Sequence, residues 1–278
     1  MTLMFRPEIP IRLDLNGASR IPVGLSAHAQ GTPGDDQDLV RQMEEVLITP
    51  PESGRLVCLT DEISPAAEAF RLISVRLRNM RRDQPLKNLL ITSTIPQEGK
   101  SMVAANLACT FAQGRQEKVL LLEGDIRRPT LSQKFGMEQR PGLCELLRKE
   151  TSHSRSIVYI PEAKIWMLPA GQVNGNPLDI LQSQKLSSLM SQLASWFDWI
   201  IIDSPPMLPV ADAGVWSALA EGIVLVTRCG ITQKKELLRG VKEIDKKKLV
   251  GAIFNCSKSL RHSDYYYRLP SSTKKSER

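Results

Sequence analysis

The sequence predicts an α/β fold, with a mostly parallel sheet flanked by helices on both faces. First, short, largely apolar runs of the kind found in buried parallel strands recur along the chain. They occupy residues 89–91, 118–123, 165–168, 199–202, 223–227 and 249–254. Second, helical stretches separate these runs, and such alternation is typical of βαβ units. With 278 residues, 42% apolar and 24% charged, the chain suits one such domain with additional tails.

Residues 1–55 are predicted to form a largely disordered extension. They contain six prolines and several glycines, and only residues 38–47 have the pattern of a short helix. The next element is an amphipathic helix that starts at Ser64 and Pro65, a favourable N-cap and first-turn pair. Its other face is either solvated or an interface. That face carries Glu68, Arg71, Ser74 and Arg78.

The first apolar run leads directly into the sequence STIPQEGKS, residues 93–101. A strand that ends in a tight loop closed by Gly-Lys-Ser, where a helix begins, is the arrangement that binds nucleotide phosphates. Gly99 lets the backbone approach the phosphates, Lys100 neutralises their charge, and the Ser101 hydroxyl takes a place on Mg²⁺. Thr94 stands where the full pattern has its first glycine. The residues predicted to bind the nucleotide are Thr94, Pro96, Glu98, Gly99, Lys100, Ser101 and Met102.

Two further strands end in acidic residues, which places them at the edge where parallel sheets bind ligands. Asp203 begins the sequence DSPP after an apolar run, and it is either a ligand of Mg²⁺ or a turn residue before the two prolines. Glu123 and Asp125 either cap the next helix or orient and deprotonate an attacking hydroxyl. Arg127 and Arg128 follow, and they either stabilise phosphate charge or face solvent.

Residues 261–278 are predicted to form a flexible tail. It contains three of the four tyrosines in the chain, Tyr265, Tyr266 and Tyr267. One interpretation is an aromatic patch that packs on the body or on a partner. The other is a set of phosphoryl acceptors. A phenol has a pKa near ~10, so this second role needs a base or a metal-polarised site, which a neighbouring subunit would supply.

Composition excludes several classes of protein. The formal charge of +7 has no aromatic platform or recognisable module behind it, so no nucleic-acid partner is expected. The five cysteines are scattered without a C-x-x-C pair, which predicts neither a zinc site nor a disulfide framework. No apolar run reaches the roughly 18 to 20 residues of a membrane span, and residues 1–16 are too charged for a signal peptide. We therefore expect a cytoplasmic protein.

Taken together, these stretches resemble the bacterial tyrosine kinases (BY-kinases) that accompany exopolysaccharide and capsule chain-length regulators. The resemblance runs from about residue 61 to the tail and rests on the joint order of seven motifs. They are STIPQEGKS, VLLLEGDIRRP, WIIIDSPP, NPLDILQS, VLVTRCGIT, LVGAIFN and the terminal tyrosines. Two positions depart from the family pattern. Glu123 stands where the family usually has Asp, and Ser74 replaces the second Arg of E-x-x-R-x-x-R, which Glu68 and Arg71 otherwise match.

The resemblance implies a P-loop NTPase-type kinase domain in residues 56–260 that uses ATP and Mg²⁺. Lys100 and Ser101 would bind phosphate and Mg²⁺, Asp125 and Asp203 would serve the metal, and Glu123 would activate the tyrosyl hydroxyl. The catalytic set is thus Lys100, Glu123 and Asp125, and the metal set is Ser101, Asp125 and Asp203.

The same resemblance implies an autokinase that regulates exopolysaccharide or capsule polymerisation and export. Tyr265, Tyr266 and Tyr267 would be its phosphoacceptors, and Glu68 and Arg71 would lie at a homo-oligomer interface. A separate transmembrane chain-length regulator would activate the protein and hold it at the inner face of the cell membrane.

Two alternatives stay open. A nucleotide-binding switch of the export complex would bind ATP without phosphorylating the tail. A partition or septum-site ATPase of the ParA/MinD type resembles the chain in strand order. That class has a K-G-G-x-G-K-[ST] loop, where this chain has Ile95, Pro96 and Gln97 in place of the lysine and the two glycines.

Overall fold

The computed structural model describes residues 2–5, 40, 43–114 and 116–256, and within them a single nine-stranded sheet runs in the order β1-β9-β8-β3-β7-β4-β6-β5-β2. The strands are β1 (Thr2–Phe5), β2 (Glu44–Glu45), β3 (Asn88–Ser93), β4 (Val119–Glu123), β5 (Val158–Ile160), β6 (Ile165–Leu168), β7 (Trp199–Asp203), β8 (Gly222–Arg228) and β9 (Leu249–Asn255). The six strands from β9 to β6 are mutually parallel. The predicted fold class is confirmed.

Ten α-helices are described. They are α1 (Val57–Thr60), α2 (Pro65–Asp83), α3 (Lys100–Gly114), α4 (Leu131–Lys134), α5 (Leu143–Arg148), α6 (His153–Ser156), α7 (Pro177–Leu181), α8 (Gln184–Trp196), α9 (Asp212–Leu219) and α10 (Lys234–Lys242). The long helix α2 begins where the sequence predicts, because the Ser64 hydroxyl accepts a hydrogen bond from the Ala67 amide at 3.2 Å and Pro65 fills the first turn.

The core forms two apolar clusters, one on each face of the sheet. Successive strand residues point to opposite faces, so Leu89 and Ile91 belong to one cluster and Leu90 belongs to the other. The first cluster contains buried side chains of α2 and α3, and the second contains those of α8 and α9. Helices therefore cover both faces, as predicted. Helix α3 is buried almost all round because it lies between the sheet and α2.

The register of the central strands assembles one edge of the sheet. Glu123 pairs with Asp203, and Asp203 pairs with Ile91, two residues before the end of β3 at Ser93. The carboxyl ends of three parallel strands thus meet where the phosphate loop begins. This edge carries the candidate site.

The amino-terminal boundary differs from the prediction. The segment 2–5 pairs antiparallel with β9, and Glu44–Glu45 is a strand that pairs with β5 rather than part of a helix over 38–47. Met43 and Ile48 are buried. Part of residues 1–55 therefore belongs to the folded domain, because both edges of the sheet offer unpaired backbone groups that composition does not reveal. The rest of that extension, and the tail 261–278, lie outside the described residues.

None of the helices in the described ranges is long and apolar enough to cross a bilayer.

Candidate active site

The loop between β3 and α3 contains positive φ angles, which restrict the residues that it can hold. Gln97 and Gly99 have φ angles of 66° and 96°, in the left-handed region. A Cβ on Gly99 would collide with the side-chain amide of Asn255. That amide donates a hydrogen bond to the Glu98 carbonyl at 2.9 Å, which ties the loop to the end of β9. The structure therefore requires glycine at this position, while its predicted approach to the phosphates stays a prediction.

A cleft of about 620 Å³ opens at the start of α3, a size typical of small-molecule sites. Of the residues predicted to bind nucleotide, Pro96, Gly99, Lys100, Ser101 and Met102 line it. The sequence did not single out the other lining residues, apart from Asp125, Arg127 and Arg128. These additional residues are Gln97, Thr130, Lys134, Pro205, Pro206, Pro209 and Val210.

Lys100 lies between two carboxylates at the floor of the cleft. Its Nζ is 2.8 Å from Asp125 Oδ2 and 3.6 Å from Asp203 Oδ1, and it donates a hydrogen bond to Ser101 Oγ at 3.3 Å. Burial opposes the charge on Lys100, but Asp203 and Asp125 outweigh that effect and raise its pKa. The structure thus brings together the four residues to which the sequence assigned phosphate and metal binding.

Asp203 is fully buried, and neither of its carboxylate oxygens has a hydrogen-bond partner among the described residues. Burial raises the pKa of this carboxyl, and the nearby Lys100 partly offsets the rise. A buried acceptor without a donor is a suitable ligand for a cation. Because the described residues hold no group of three His, Cys, Asp or Glu side chains around a metal position, a cation here would complete its shell with phosphate oxygens and water, as Mg²⁺ commonly does.

Glu123 is not among the residues that line the cleft, and the catalytic role assigned to it stays a prediction. One carboxylate oxygen accepts a hydrogen bond from the Leu131 amide at 2.6 Å, and the other accepts one from the Ala170 amide at 3.1 Å. The side chain is 1% exposed, and burial raises its pKa to about 6 although both amides favour the charged form. Leu131 is the first residue of α4, so the helix-capping alternative describes Glu123.

Thr94 and Glu98 are not among the residues that line the cleft, and their predicted contact with the nucleotide stays a prediction. The Glu98 carboxylate accepts hydrogen bonds from the Ile95 amide at 2.8 Å, from the Arg228 amide at 3.3 Å and from the Thr232 hydroxyl. It therefore holds the loop against the end of β8. Thr94 is buried against Gly240 of α10, where a Cβ would lie 2.8 Å from the threonine methyl group.

The two arginines after Asp125 differ in how they are held. Arg127 makes a bidentate pair with the buried Asp212, with Nε and Nη2 at 2.7 and 3.0 Å from its two oxygens. Arg128 lines the cleft without an ion pair among the described residues. Asp212 therefore compensates the charge of Arg127, whereas Arg128 adds positive charge to the cleft, which favours the phosphate alternative for Arg128.

The two proposed interface residues of α2, Glu68 and Arg71, are exposed in the single chain. Arg71 Nη1 lies 2.9 Å from Glu68 Oε2, and both side chains remain accessible. Ser74 is buried and donates a hydrogen bond to the Arg71 carbonyl at 2.8 Å. The interface assigned to Glu68 and Arg71 stays a prediction, and Tyr265, Tyr266 and Tyr267 lie outside the described residues.

Comparison with known proteins adds evidence of ancestry, although no family model matches the chain. The tyrosine-protein kinase YwqD of Bacillus subtilis is 36% identical over 214 residues, which cover 76% of this chain and 90% of YwqD. The succinoglycan biosynthesis transport protein ExoP of Rhizobium meliloti is 32% identical over 198 residues, which cover 69% of this chain and 25% of ExoP. The crystal structure of the chimerical protein CapA2B2 superposes with a TM-score of 0.69 at 29% identity, over 80% of this chain and 98% of that one.

Proposed function

The chain belongs to the bacterial tyrosine kinases, and from that membership we propose that it is an ATP-dependent protein-tyrosine autokinase of exopolysaccharide or capsule production. The observation that carries the proposal is the convergence of Lys100, Asp125 and Asp203 on the cleft that follows the phosphate loop. Phosphoryl transfer needs mainly positioning and neutralisation of charge, and this cluster is suited to both.

The phosphates of ATP would lie against Lys100 and the first amides of α3, in the cleft that Arg127 and Arg128 also line. Ser101, Asp125 and Asp203 would hold Mg²⁺, which neutralises phosphate charge when bound. A second cavity of about 500 Å³, largely apolar in its lining, shares Met102 with the cleft and extends to Asn255. Its position and character suit the base and ribose of the nucleotide.

The acceptor would be the tail of a neighbouring subunit. The described chain ends at Cys256, and Tyr265 is nine residues further on, a reach of up to ~30 Å. Since Glu123 is engaged by two backbone amides, we assign orientation of the tyrosyl hydroxyl to Asp125, the carboxylate that lines the cleft. In a loose transition state the attacking hydroxyl loses little of its proton, so a strong base is not needed.

The partners follow from the same membership. We propose a homo-oligomer built through the face that carries Glu68 and Arg71, and a separate transmembrane regulator that activates the kinase at the inner face of the membrane. The match to 25% of ExoP supports a division in which the kinase domain acts beside other parts of the export machinery.

Intact-mass analysis and peptide mapping after incubation with MgATP test the proposal. The incubation includes the cytoplasmic segment of a candidate activator, and the controls are Lys100→Met and Tyr265/266/267→Phe. We expect phosphate on the tail tyrosines and its loss in the Lys100 variant. ATP binding without any gain of mass on tyrosine, even with the activator, would contradict kinase activity.

That second outcome describes the other candidate function, a nucleotide-binding switch without phosphoryl transfer. The hydrogen bonding of Glu123 to two backbone amides is the observation that favours it. In that case Glu123→Asp is the next variant, because it restores the residue that the family usually has at this position.

A further inference from the structure

We propose that Lys134 is a second phosphate-binding lysine of the nucleotide site, and that Glu123 is the positioning residue that fixes it there. The inference rests on the proposed function and adds residues to its ATP site. Lys134 is the last residue of α4 and lines the same cleft as Lys100 and Ser101, together with Arg127 and Arg128. No motif in the sequence singles it out.

The main chain of Lys134 is held firmly. Its amide donates a hydrogen bond to the Thr130 carbonyl at 3.1 Å. Its own carbonyl packs so closely on Gly54 that a Cβ at that glycine would collide with it. The neighbouring side chains Leu131 and Phe135 are completely buried. Lys134 therefore projects from a fixed backbone rather than from a loose surface turn.

The charge of Lys134 is half-buried and has no ion pair or side-chain hydrogen bond among the described residues. Burial lowers its pKa, Asp203 opposes this, and the cations Arg55 and Lys100 lower it further. An anionic ligand that contacts Lys134 and a neighbouring cation at once would relieve the electrostatic repulsion between them. Phosphate oxygens in the cleft, close to Lys100, would provide that ligand.

Glu123 holds the short helix α4, and with it Lys134, in place beside the rest of the site. A helix of four residues has little stability of its own, so its orientation depends on its anchors. The Glu123 carboxylate bonds the first amide of α4 at Leu131 and also the Ala170 amide, while its backbone pairs with Asp203. Lys134 lies one helical turn after Leu131. Glu123 thus fixes α4 relative to the carboxyl ends of the central strands, where Asp203 lies.

Equilibrium binding of MgATP to the full chain tests the assignment. Lys134→Met should weaken binding about tenfold, the loss expected for one charge-assisted hydrogen bond, whereas Lys134→Arg should stay close to the wild type. The matched control is Lys185→Met, an exposed lysine of α8 outside the cleft. Equal affinity of Lys134→Met, Lys185→Met and wild type would overturn the role of Lys134, while leaving the proposed function intact if wild-type binding is lost in Lys100→Met.

A second measurement needs no variant at Lys134. Brief acetylation of the wild-type chain with a lysine-selective reagent, read by peptide mapping, should be slowed several-fold at Lys134 by MgATP and unchanged at Lys185. Equal rates with and without MgATP, under conditions where MgATP binds, would also overturn the assignment. A wild-type chain that does not bind MgATP at all would instead overturn the proposed function, and this inference with it.

The positioning role of Glu123 is tested by a double-variant cycle. If Glu123→Gln acts through Lys134, it weakens MgATP binding, and it adds little once Lys134→Met is present. A Glu123→Gln variant that lowers the turnover rate with unchanged MgATP affinity would overturn the positioning role, because that split identifies a group acting on the reaction itself. Fully additive losses in the cycle would do the same.

Discussion

Two buried aspartates beside the cleft differ in what compensates their charge. Asp203 has no hydrogen-bond partner among the described residues, whereas Asp212 receives two hydrogen bonds from Arg127. We expect Asp203→Asn to raise the free energy of unfolding by about 1 kcal/mol, because a neutral amide is easier to bury and Lys100 keeps Asp125. Asp212→Asn should lower it by about 1–3 kcal/mol, because the Arg127 pair is lost.

Urea denaturation at neutral pH compares these two variants, and binding of ATP with and without Mg²⁺ completes the test. Asp203→Asn should lose the Mg²⁺ dependence of binding in spite of its greater stability. A trade of this kind is typical of charges that are kept for function. If Asp203→Asn destabilises the protein as much as Asp212→Asn does, then Asp203 is a structural residue.

The raised pKa of Glu123 makes stability depend on pH in a defined window. Burial raises this pKa from 4.5 to about 6, so the folded protein binds the proton more tightly than the unfolded chain does. The contribution of Glu123 to the free energy of unfolding is therefore fully present well below pH 4.5, and it should fall by about 2 kcal/mol in total as the pH rises from there to well above 6. Glu123→Gln should lack this slope. Parallel slopes for the two proteins in urea titrations across the window would contradict the shift.

Motif spacing identified the chemical centre of the site but not every residue around it. Lys100, Ser101, Asp125 and Asp203 could be predicted because strand order and the phosphate-loop pattern fix where their backbones lie. The direction of a side chain is not fixed in that way. Glu123 turns toward the amides of Leu131 and Ala170, eight and 47 residues away, and no local pattern encodes such distant donors.

At the scale of elements, two glycine-to-alanine variants, one of them in the phosphate loop, separate the cost of a positive φ angle from the cost of a steric clash at the added Cβ. Gly99 and Gly175 both have φ near +100°, but only a Cβ on Gly99 meets other atoms. Gly175→Ala should cost about 1 kcal/mol for the unfavourable φ alone. Gly99→Ala should cost more and should abolish nucleotide binding, because the Asn255 amide must move. Equal thermal shifts and intact ATP binding in both variants would show that the loop tolerates the change.

Elements with a recognisable local sequence pattern could be predicted from the sequence, whereas elements that depend on a distant partner strand could not. The central strands are continuous apolar runs, α2 has its own period and N-cap, and α3 and α8 are long helical stretches between strands, so local pattern is sufficient for these elements. The two-residue strand Glu44–Glu45 and the segment 2–5 have no such pattern. They are strands because the edges at β5 and β9 present unpaired amides and carbonyls, which is information held elsewhere in the chain.

For the whole molecule, the exposed face of α2 is the expected route to an assembly. Leu72 and Val75 are each 52% exposed on this helix, near the Glu68–Arg71 pair. Arg71→Glu should place two acidic groups together and reduce the oligomer seen by light scattering with MgATP. Arg155→Glu, at an exposed position on α6, is the matched control. An unchanged mass for Arg71→Glu would place the interface elsewhere.

If phosphate is transferred between subunits, a mixture of two variants should show tail phosphorylation that neither variant shows alone. Lys100→Met keeps its tyrosines but lacks the lysine proposed to bind phosphate, whereas Tyr265/266/267→Phe keeps the cleft but lacks the proposed acceptors. When the two are mixed with MgATP and the activator segment, phosphate should appear on the Lys100→Met chain if, as proposed, the tail of one subunit enters the cleft of another. Adding Arg71→Glu to the triple phenylalanine chain should slow this transfer, while its MgATP affinity stays the same. Phosphate in the wild type but not in the mixture would mean that the tail reacts within its own chain.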